Sequence, residues 1–86
     1  MIEYSIEFFP SARKQLIKLP QEIQHRIGAK IEELKTDAYP PGVKTLKNGG
    51  GRLRLRVGDY RIIYRGEANR IVIVIIKVGH RRNIYR

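Results

Sequence analysis

The side chains that could carry out chemistry in this 86-residue sequence are mainly arginines, and they are concentrated in its C-terminal part. Cysteine is absent, and the two histidines, His25 and His80, lie far apart in the sequence. After residue 51 the acidic residues are Asp59 and Glu67, both in predicted turns. Catalysis by a cysteine nucleophile, by paired carboxylates or by a bound metal ion is therefore poorly supported, and we expect no metal site.

Arginine, lysine, tyrosine and histidine side chains are sufficient to cleave RNA. RNA carries its own nucleophile, the 2′-hydroxyl, so a protein mainly has to align that group, stabilise the charge on the phosphorane and move protons. The charge distribution agrees with such a substrate. Residues 52–86 hold ten Lys or Arg against two Asp or Glu, whereas residues 1–51 hold eight against six. This distribution, within a net charge of +10, favours nucleic acid as the partner over an anionic membrane or an acidic protein.

A β-hairpin predicted over residues 52–65 positions most of these arginines. Basic and apolar residues alternate from Arg52 to Val57, and Gly58-Asp59 predicts a two-residue type II′ turn. Directly opposed residues of a hairpin share a face. One face then holds Leu53, Leu55, Val57, Tyr60, Ile62 and Tyr64, while the other, the arginine-rich face, holds Arg52, Arg54, Arg56, Arg61 and Arg65 with Ile63 among them.

Two like-charged pairs are expected across this hairpin, Arg56 facing Arg61 and Arg52 facing Arg65. Like charges directly opposite one another are destabilising. The arginine-rich face is therefore predicted to be a phosphate-binding surface that a polyanion neutralises.

The remaining pattern predicts a single domain over residues 1–86, in which one layer of helices covers one sheet. Alternation over residues 2–9 indicates a first strand, and apolar spacing over 11–19 and from Pro20 to Leu34 indicates a helical hairpin. Residues 38–51 are predicted to be a loop and residues 66–69 a turn. The apolar run from Ile71 to Ile76 predicts a central strand that is buried on both faces, followed by a basic tail from Gly79.

No apolar run approaches the roughly twenty residues that a membrane span needs, and the first residues lack the pattern of a signal peptide. We therefore expect a cytoplasmic protein with no membrane partner.

The hairpin motif and the closing segment Val78-Gly-His-Arg-Arg-Asn-Ile-Tyr85 together resemble the RelE/ParE superfamily of toxins from toxin–antitoxin systems. The opening strand, the helical hairpin and the Lys-x-Leu-Lys-Asn-Gly stretch stand in the family's order, so the resemblance covers nearly the whole chain. It implies a RelE-like α+β fold: an N-terminal strand, a helical hairpin and a three-stranded antiparallel meander, with one sheet packed on the helices. It also implies a ribosome-dependent mRNA endonuclease that cuts A-site codons without a cofactor, leaves a 2′,3′-cyclic phosphate and is silenced by a cognate antitoxin.

Carried over by position, the resemblance implies that Arg61 stabilises the scissile phosphate and that Arg81 acts at the leaving 5′-oxygen as a cation or an acid. Tyr85 would stack on a base, or orient or activate the 2′-hydroxyl. The best-known members have lysines in the first basic strand where this chain has arginines. Since the pKa of arginine lies above about 12, Arg54 is an electrostatic stabiliser here, and Tyr85 or His80 is left for proton transfer. Further RNA contacts are expected from Lys47, Arg52, Arg56, Arg65, His80 and Arg82.

Two other functions compete with this interpretation. ParE-like members inhibit DNA gyrase by protein contact, but that branch typically lacks the terminal tyrosine with its basic partners, so Arg61, Arg81 and Tyr85 favour the nuclease. A non-catalytic RNA-binding module would use the same basic sheet only to hold phosphates. His80 is expected to orient the tail by a hydrogen bond rather than to act as a base.

Overall fold

The computed structural model describes residues 3–46 and 50–84. In chain order the elements are β1 (Ser5–Phe8), α1 (Pro10–Ile17), α2 (Gln21–Leu34), β2 (Lys44–Thr45), β3 (Leu53–Val57), β4 (Tyr60–Glu67) and β5 (Val72–His80). This is the predicted α+β class, with a strand, a helical hairpin and then the antiparallel meander β3-β4-β5.

The sheet contains five strands in the order β1-β5-β4-β3-β2, which is one strand more than the expected strand and meander together. The additional strand, β2, lies in the segment predicted to be a loop, where Lys44 and Thr45 pair with Arg54 and Leu53. The first strand pairs with β5 in parallel, and the other neighbours are antiparallel. The central position of β4 and β5 places the hairpin and the tail in the middle of the sheet.

Proline and glutamine side chains organise the helical hairpin. Pro10 occupies the first turn of α1, where its missing N–H costs nothing, and Pro20 precedes α2. The Gln24 side-chain amide donates to the carbonyl oxygens of Ile17 at 3.2 Å and Leu19 at 2.8 Å. These carbonyl oxygens lie at the end of α1 and just beyond it, where no helical N–H can donate to them. The Gln24 side chain provides the missing donor and thereby fixes the connection between the two helices.

The main core fills the space between the helices and one face of the sheet. Its strand side contains Leu53, Leu55, Val57, Ile62, Tyr64, Ile73, Ile75 and Val78, and its helical side contains Ala12, Ile27, Ile31 and Leu34, with Ala38 beyond α2. The predicted apolar face of the hairpin belongs to this core, and so do the apolar residues whose spacing predicted the second helix. Tyr64 is fully buried, and its hydroxyl donates to the Ala38 carbonyl oxygen at 2.7 Å, so it ties β4 to the segment after α2.

A smaller apolar cluster covers part of the opposite face of the sheet. Ile63, Val72, Val74 and Ile76 are buried there together with Ile84 from the tail, and Phe9 and Leu46 pack against them. The prediction that the run from Ile71 to Ile76 is buried on both faces is confirmed for residues 72–76, which are all buried, and is wrong for Ile71, which is exposed and precedes β5. Ile63, the one apolar residue among the predicted arginines, belongs to this cluster.

The connection between β4 and β5 differs from the prediction. The turn was expected at residues 66–69, but Gly66 continues β4 and the turn occupies residues 68–71. Ile71 closes it in the left-handed region, with φ of 55°. Isoleucine is β-branched and rarely adopts this conformation, whereas it is common in strands. The sequence pattern therefore placed Ile71 in the strand and not in the turn.

None of the helices in residues 3–46 and 50–84 combines the length and the apolar character required to cross a membrane.

Candidate nucleic-acid interface

The β3-β4 hairpin has the register expected from its two-residue turn. Gly58 adopts φ of 60°, as the first position of a type II′ turn requires. Val57 then pairs with Tyr60, Arg56 with Arg61, and Arg54 with Ile63. These arginines therefore lie on the side of the sheet opposite the helices. We call this surface the basic face, and it consists of Lys44, Arg54, Arg56, Arg61 and Lys77.

The turn itself holds two of the basic side chains. Arg56 Nε and an Arg61 terminal nitrogen each donate to the Gly58 carbonyl oxygen at 3.2 Å, and that Arg61 nitrogen also donates to the Tyr60 carbonyl oxygen at 3.1 Å. Two like-charged guanidinium groups thus share one acceptor. Their positions are fixed by backbone oxygens and not by carboxylates, so the hydrogen bonds orient the charges without neutralising them.

Two lysines extend this surface on either side of the hairpin. Lys44 on β2 pairs with Arg54 on β3, and Lys77 on β5 pairs with Ile63 on β4. Directly opposed residues share a face, so both ammonium groups join the arginines. Neither lysine was among the predicted site residues. The position of Lys44 depends on β2, which lies in a segment predicted to be a loop. The position of Lys77 depends on the β4-β5 register, which shifts between Ile63 and Tyr64 and which the alternation does not reveal.

A groove of about 310 Å³ runs along the β3 edge of the basic face. It is lined by Lys30, Pro41, Gly42, Lys44, Arg54, Leu55, Arg56 and Arg61. The groove is strongly cationic and connects the sheet with α2 and the loop before β2.

The far end of the sheet is neutralised by carboxylates. Arg65 lies 3.6 Å from Glu67, and Arg70 lies 3.0 Å from both Glu67 and Glu7. The Arg65 guanidinium also lies over the Phe9 ring, 5.9 Å from its centroid. Arg65 is four residues from Arg61 on the same strand, a separation of about 13 Å, so the structure does not bring these two together.

The expected pair between Arg52 and Arg65 is absent from the ladder, and this part of the prediction was wrong. The pairing of β3 with β4 ends at Leu53 and Tyr64. Gly50 and Gly51, with φ of 60° and 84°, turn the chain just before Arg52, whose carbonyl oxygen accepts from the Leu46 N–H. Arg52 therefore lies exposed at the start of β3.

Unlike Arg65 and Arg70, the arginines near the hairpin turn have no carboxylate partner in the described part of the chain. No carboxylate within residues 3–46 and 50–84 forms an ion pair with Arg56, Arg61 or Arg81. These cations beside the hairpin turn therefore have no ion-paired carboxylate within the described residues.

The tail places Arg81 beside the hairpin turn. The Arg81 N–H donates to the Asp59 carbonyl oxygen at 2.8 Å, which extends the β4-β5 pairing by one step beyond Tyr60 and His80. The His80 carbonyl oxygen then accepts from the N–H groups of Asn83 and Ile84 and closes a short turn. Two backbone anchors therefore fix the Arg81 backbone next to the turn that holds Arg61.

His80 stabilises the same turn with its side chain. Its Nδ1 accepts from the Arg82 N–H at 3.1 Å, and its ring packs edge-on against Tyr60 with the centroids 5.4 Å apart. An accepting Nδ1 leaves the proton of the neutral ring on Nε2. In this arrangement His80 can donate from Nε2, but it cannot accept a proton there. Arg82 itself is exposed.

Two of the predicted site residues, Lys47 and Tyr85, lie outside the described residues. Within residues 3–46 and 50–84, no three His, Asp or Glu side chains lie together in a way that could hold a metal ion.

Comparison with known proteins identifies the family. A family model described as the ParE toxin of type II toxin–antitoxin systems matches residues 6–85. Toxin RelG of Mycobacterium tuberculosis is 32% identical over 87 residues, with 96% of this chain and 97% of RelG covered.

Solved structures agree with this assignment. The archaeal RelE–RelB complex from Pyrococcus horikoshii superposes with a TM-score of 0.81 at 28% identity, covering 95% of this chain and 99% of the other. A RelBE toxin–antitoxin complex from Mycobacterium tuberculosis gives a TM-score of 0.75 at 30% identity, covering 92% and 99%. The chain described here therefore belongs to the RelE/ParE superfamily of type II toxin–antitoxin toxins.

Proposed function

We propose that this toxin inhibits translation as a ribosome-dependent endoribonuclease that cuts mRNA codons in the A site. The 2′-hydroxyl attacks the adjacent phosphate, and the 5′-oxygen of the next nucleotide leaves, which yields a 2′,3′-cyclic phosphate and a 5′-hydroxyl. Arg61 stabilises the charge that develops on the phosphate, and Arg81 assists the leaving oxygen. Arg54 adds electrostatic stabilisation.

The observation that carries this proposal is the pair of guanidinium groups beside the hairpin turn. Arg56 and Arg61 are opposed across the strands and oriented by one carbonyl oxygen, with no carboxylate partner among the described residues. Cations fixed in advance stabilise developing negative charge without the cost of reorganisation. Such an arrangement destabilises the free protein and is relieved by a polyanion, so it supports phosphate binding over a purely structural role.

The geometry of His80 supports assigning the removal of the 2′-hydroxyl proton to another residue. A ring that accepts at Nδ1 and carries its proton on Nε2 is a donor toward RNA or a support for the tail. We therefore assign abstraction of the 2′-hydroxyl proton to the phenolate form of Tyr85. The departing 5′-oxygen takes a proton from Arg81 or from water and leaves as the 5′-hydroxyl. A site with so few proton-transfer groups needs help in aligning its substrate, so we expect weak cleavage of naked RNA and strong cleavage on the ribosome.

We also propose a protein antitoxin as the partner that silences the toxin. The similar structures are RelE–RelB and RelBE complexes, which supports such a partner. An acidic segment that covers the basic face would neutralise the charges that RNA otherwise contacts.

Inhibition of DNA gyrase is the second candidate function, because the matching family model is described as a ParE toxin. It needs no phosphate-stabilising arginine. The oriented Arg56 and Arg61 groups therefore favour the nuclease.

Primer extension on an mRNA translated in vitro separates these functions. The purified protein, Arg61→Ala and Arg13→Ala are compared with and without ribosomes. Arg13 is a matched control, since it is an exposed arginine on α1 whose guanidinium lies over the Phe8 ring, 5.2 Å from its centroid. Loss of one group that stabilises a developing oxyanion costs about 100- to 1000-fold in rate.

We expect A-site cuts that require ribosomes, persist in Arg13→Ala and fall by that factor in Arg61→Ala. Folded wild-type protein that makes no cuts would overturn the nuclease and direct the next assay to gyrase. Binding of RNA without cleavage would instead identify a non-catalytic RNA-binding module.

A further inference from the structure

Gly79 lies in β5 at a position where the fold of the described residues does not require glycine. Glycine inside a strand is less favourable than alanine, so it usually marks a special conformation or a close approach. Gly79 does not adopt the left-handed conformation that glycine favours, and a Cβ added to it would meet no atom within 4 Å. Neither backbone torsion nor packing within the described chain therefore requires glycine here.

The neighbours of Gly79 are the cations of the proposed site. Gly79 pairs directly with Arg61 across the β4-β5 ladder, so the missing side chain belongs to the basic face. Lys77 lies two residues before it on the same strand, and Arg81 lies two residues after it with its N–H bonded to Asp59. A residue without a side chain thus lies among the cations of the basic face.

The space beside Gly79 is also open on the side of β5 that faces α1. A cavity of about 370 Å³ runs along this edge, and its lining includes Gly79, Lys77 and His80. A chain that crosses the basic face at this position therefore meets the backbone of Gly79 and no Cβ, with open space beside it.

We propose that Gly79 forms the contact point at which the phosphodiester backbone of single-stranded RNA approaches the sheet, between Arg61 and Lys77. This inference rests on the proposed function and adds to it a residue that contributes by lacking a side chain. Any Cβ at this position would hold the phosphate away from the Arg61 guanidinium, and ionic contacts weaken with distance.

The test compares Gly79→Ala and Gly79→Val with Gly28→Ala. Gly28 lies in α2, and a Cβ added there also meets no atom within 4 Å, so the control makes the same chemical change away from the basic face. Thermal unfolding reports the fold, and the fluorescence anisotropy of a labelled single-stranded RNA oligonucleotide reports binding. A-site cleavage reports the reaction.

We expect all three variants to remain folded. Gly79→Ala should weaken RNA binding about tenfold, which corresponds to about 1.4 kcal/mol, and Gly79→Val should weaken it further, while Gly28→Ala binds as wild type does. If a folded Gly79 variant binds and cleaves like wild type, the inference is overturned and the nuclease stands. If no protein cleaves but the Gly79 variants still bind RNA less well, the contact point stands and the nuclease fails.

A measurement on the wild-type protein covers the case in which Gly79 variants do not fold. The Gly79 amide resonance is followed by NMR while the same RNA oligonucleotide is added. A shift of this resonance larger than that of Gly28 supports the contact, and an unchanged Gly79 resonance at saturating RNA overturns it.

Discussion

At the scale of single residues, hydrogen bonds between side chains and backbone groups organise the site. Arg56 and Arg61 are held by the Gly58 carbonyl oxygen, and Arg82 is held through its N–H by His80 Nδ1. Hydrogen bonds of this kind restrict a long side chain or a short turn without cancelling a charge. The site therefore keeps its positive potential for a substrate.

The hydrogen bond from the Arg82 N–H to His80 Nδ1 can be tested by keeping or removing the side-chain acceptor at residue 80. In His80→Asn the side-chain Oδ1 replaces Nδ1 at the same distance from the backbone, whereas His80→Ala removes the acceptor. Loss of one hydrogen bond costs about 0.5–1.5 kcal/mol, so the Arg82 amide should exchange roughly tenfold faster with solvent in His80→Ala than in His80→Asn. Hydrogen exchange followed by NMR measures this.

Cleavage assays on the same variants separate positioning from direct chemistry. We expect His80→Asn to retain cleavage within about twofold and His80→Ala to lose several-fold, because the Arg81 backbone then loses its support. If His80→Asn keeps a protected Arg82 amide but cleaves as poorly as His80→Ala, the imidazole itself acts on the RNA.

At the scale of elements, the burial of Tyr64 links the sheet to the segment after α2. Burial raises the pKa of the Tyr64 hydroxyl far above its ordinary value, with smaller contributions from Tyr39 and Asp37, so the group remains a donor to the Ala38 carbonyl oxygen. In Tyr64→Phe that oxygen loses its partner. We expect the free energy of unfolding at pH 7 to fall by about 1–2 kcal/mol, as measured by urea denaturation.

The same hydroxyl makes stability depend on alkaline pH. The unfolded chain loses the Tyr64 proton near pH 10, but the folded chain keeps it to higher pH. The stabilisation by this group is therefore complete below about pH 10 and decreases as pH rises, by up to about 1.4 kcal/mol per pH unit. Tyr64→Phe should flatten the decrease, and unfolding curves that change in parallel for both proteins would contradict this account.

Local patterns allowed much of the sheet to be predicted. The pairing of Arg56 with Arg61 follows from strict alternation and a two-residue turn, which together determine a register. The long-range features had no such signal. The parallel pairing of β1 joins distant segments, and the short strand β2 lies in a segment predicted to be a loop. The position of Lys77 depends on the β4-β5 register, which shifts between Ile63 and Tyr64.

The candidate site shows the same division. Arg54, Arg56 and Arg61 were predicted to lie together because they belong to one hairpin, and the structure places them together. Arg65 belongs to the same alternation but lies beside Glu67, at the end of the sheet where Arg70 joins Glu7. Glu67 lies two residues after Arg65 on β4, so the alternation places it on the same face and could have indicated this partner. Glu7 lies on β1, and its ion pair with Arg70 depends on the fold.

At the scale of the whole molecule, the excess positive charge acts through the salt dependence of binding. Each phosphate contact on a single strand contributes about 0.7 to the slope of log affinity against log salt. We expect Arg56→Gln to weaken binding of a single-stranded RNA oligonucleotide and to reduce the magnitude of this slope by about 0.7. Fluorescence anisotropy over a range of salt concentrations measures both.

Arg13→Gln is the matched control for this prediction, since it removes the same charge from α1. An unchanged slope in Arg56→Gln, or an equal reduction in Arg13→Gln, would show that RNA responds to net charge alone and not to the basic face.

The most direct test of the central claim concerns the nucleophile. Ribosomes are programmed with an mRNA whose A-site codon carries a single 2′-deoxynucleotide at the cleaved position, and the all-ribose mRNA serves as the control. We expect wild-type toxin to cut the all-ribose codon to a 2′,3′-cyclic phosphate and to leave the deoxy-substituted codon intact. Cleavage of the deoxy-substituted codon at the same position would contradict attack by the 2′-hydroxyl, and with it the role assigned to the basic face.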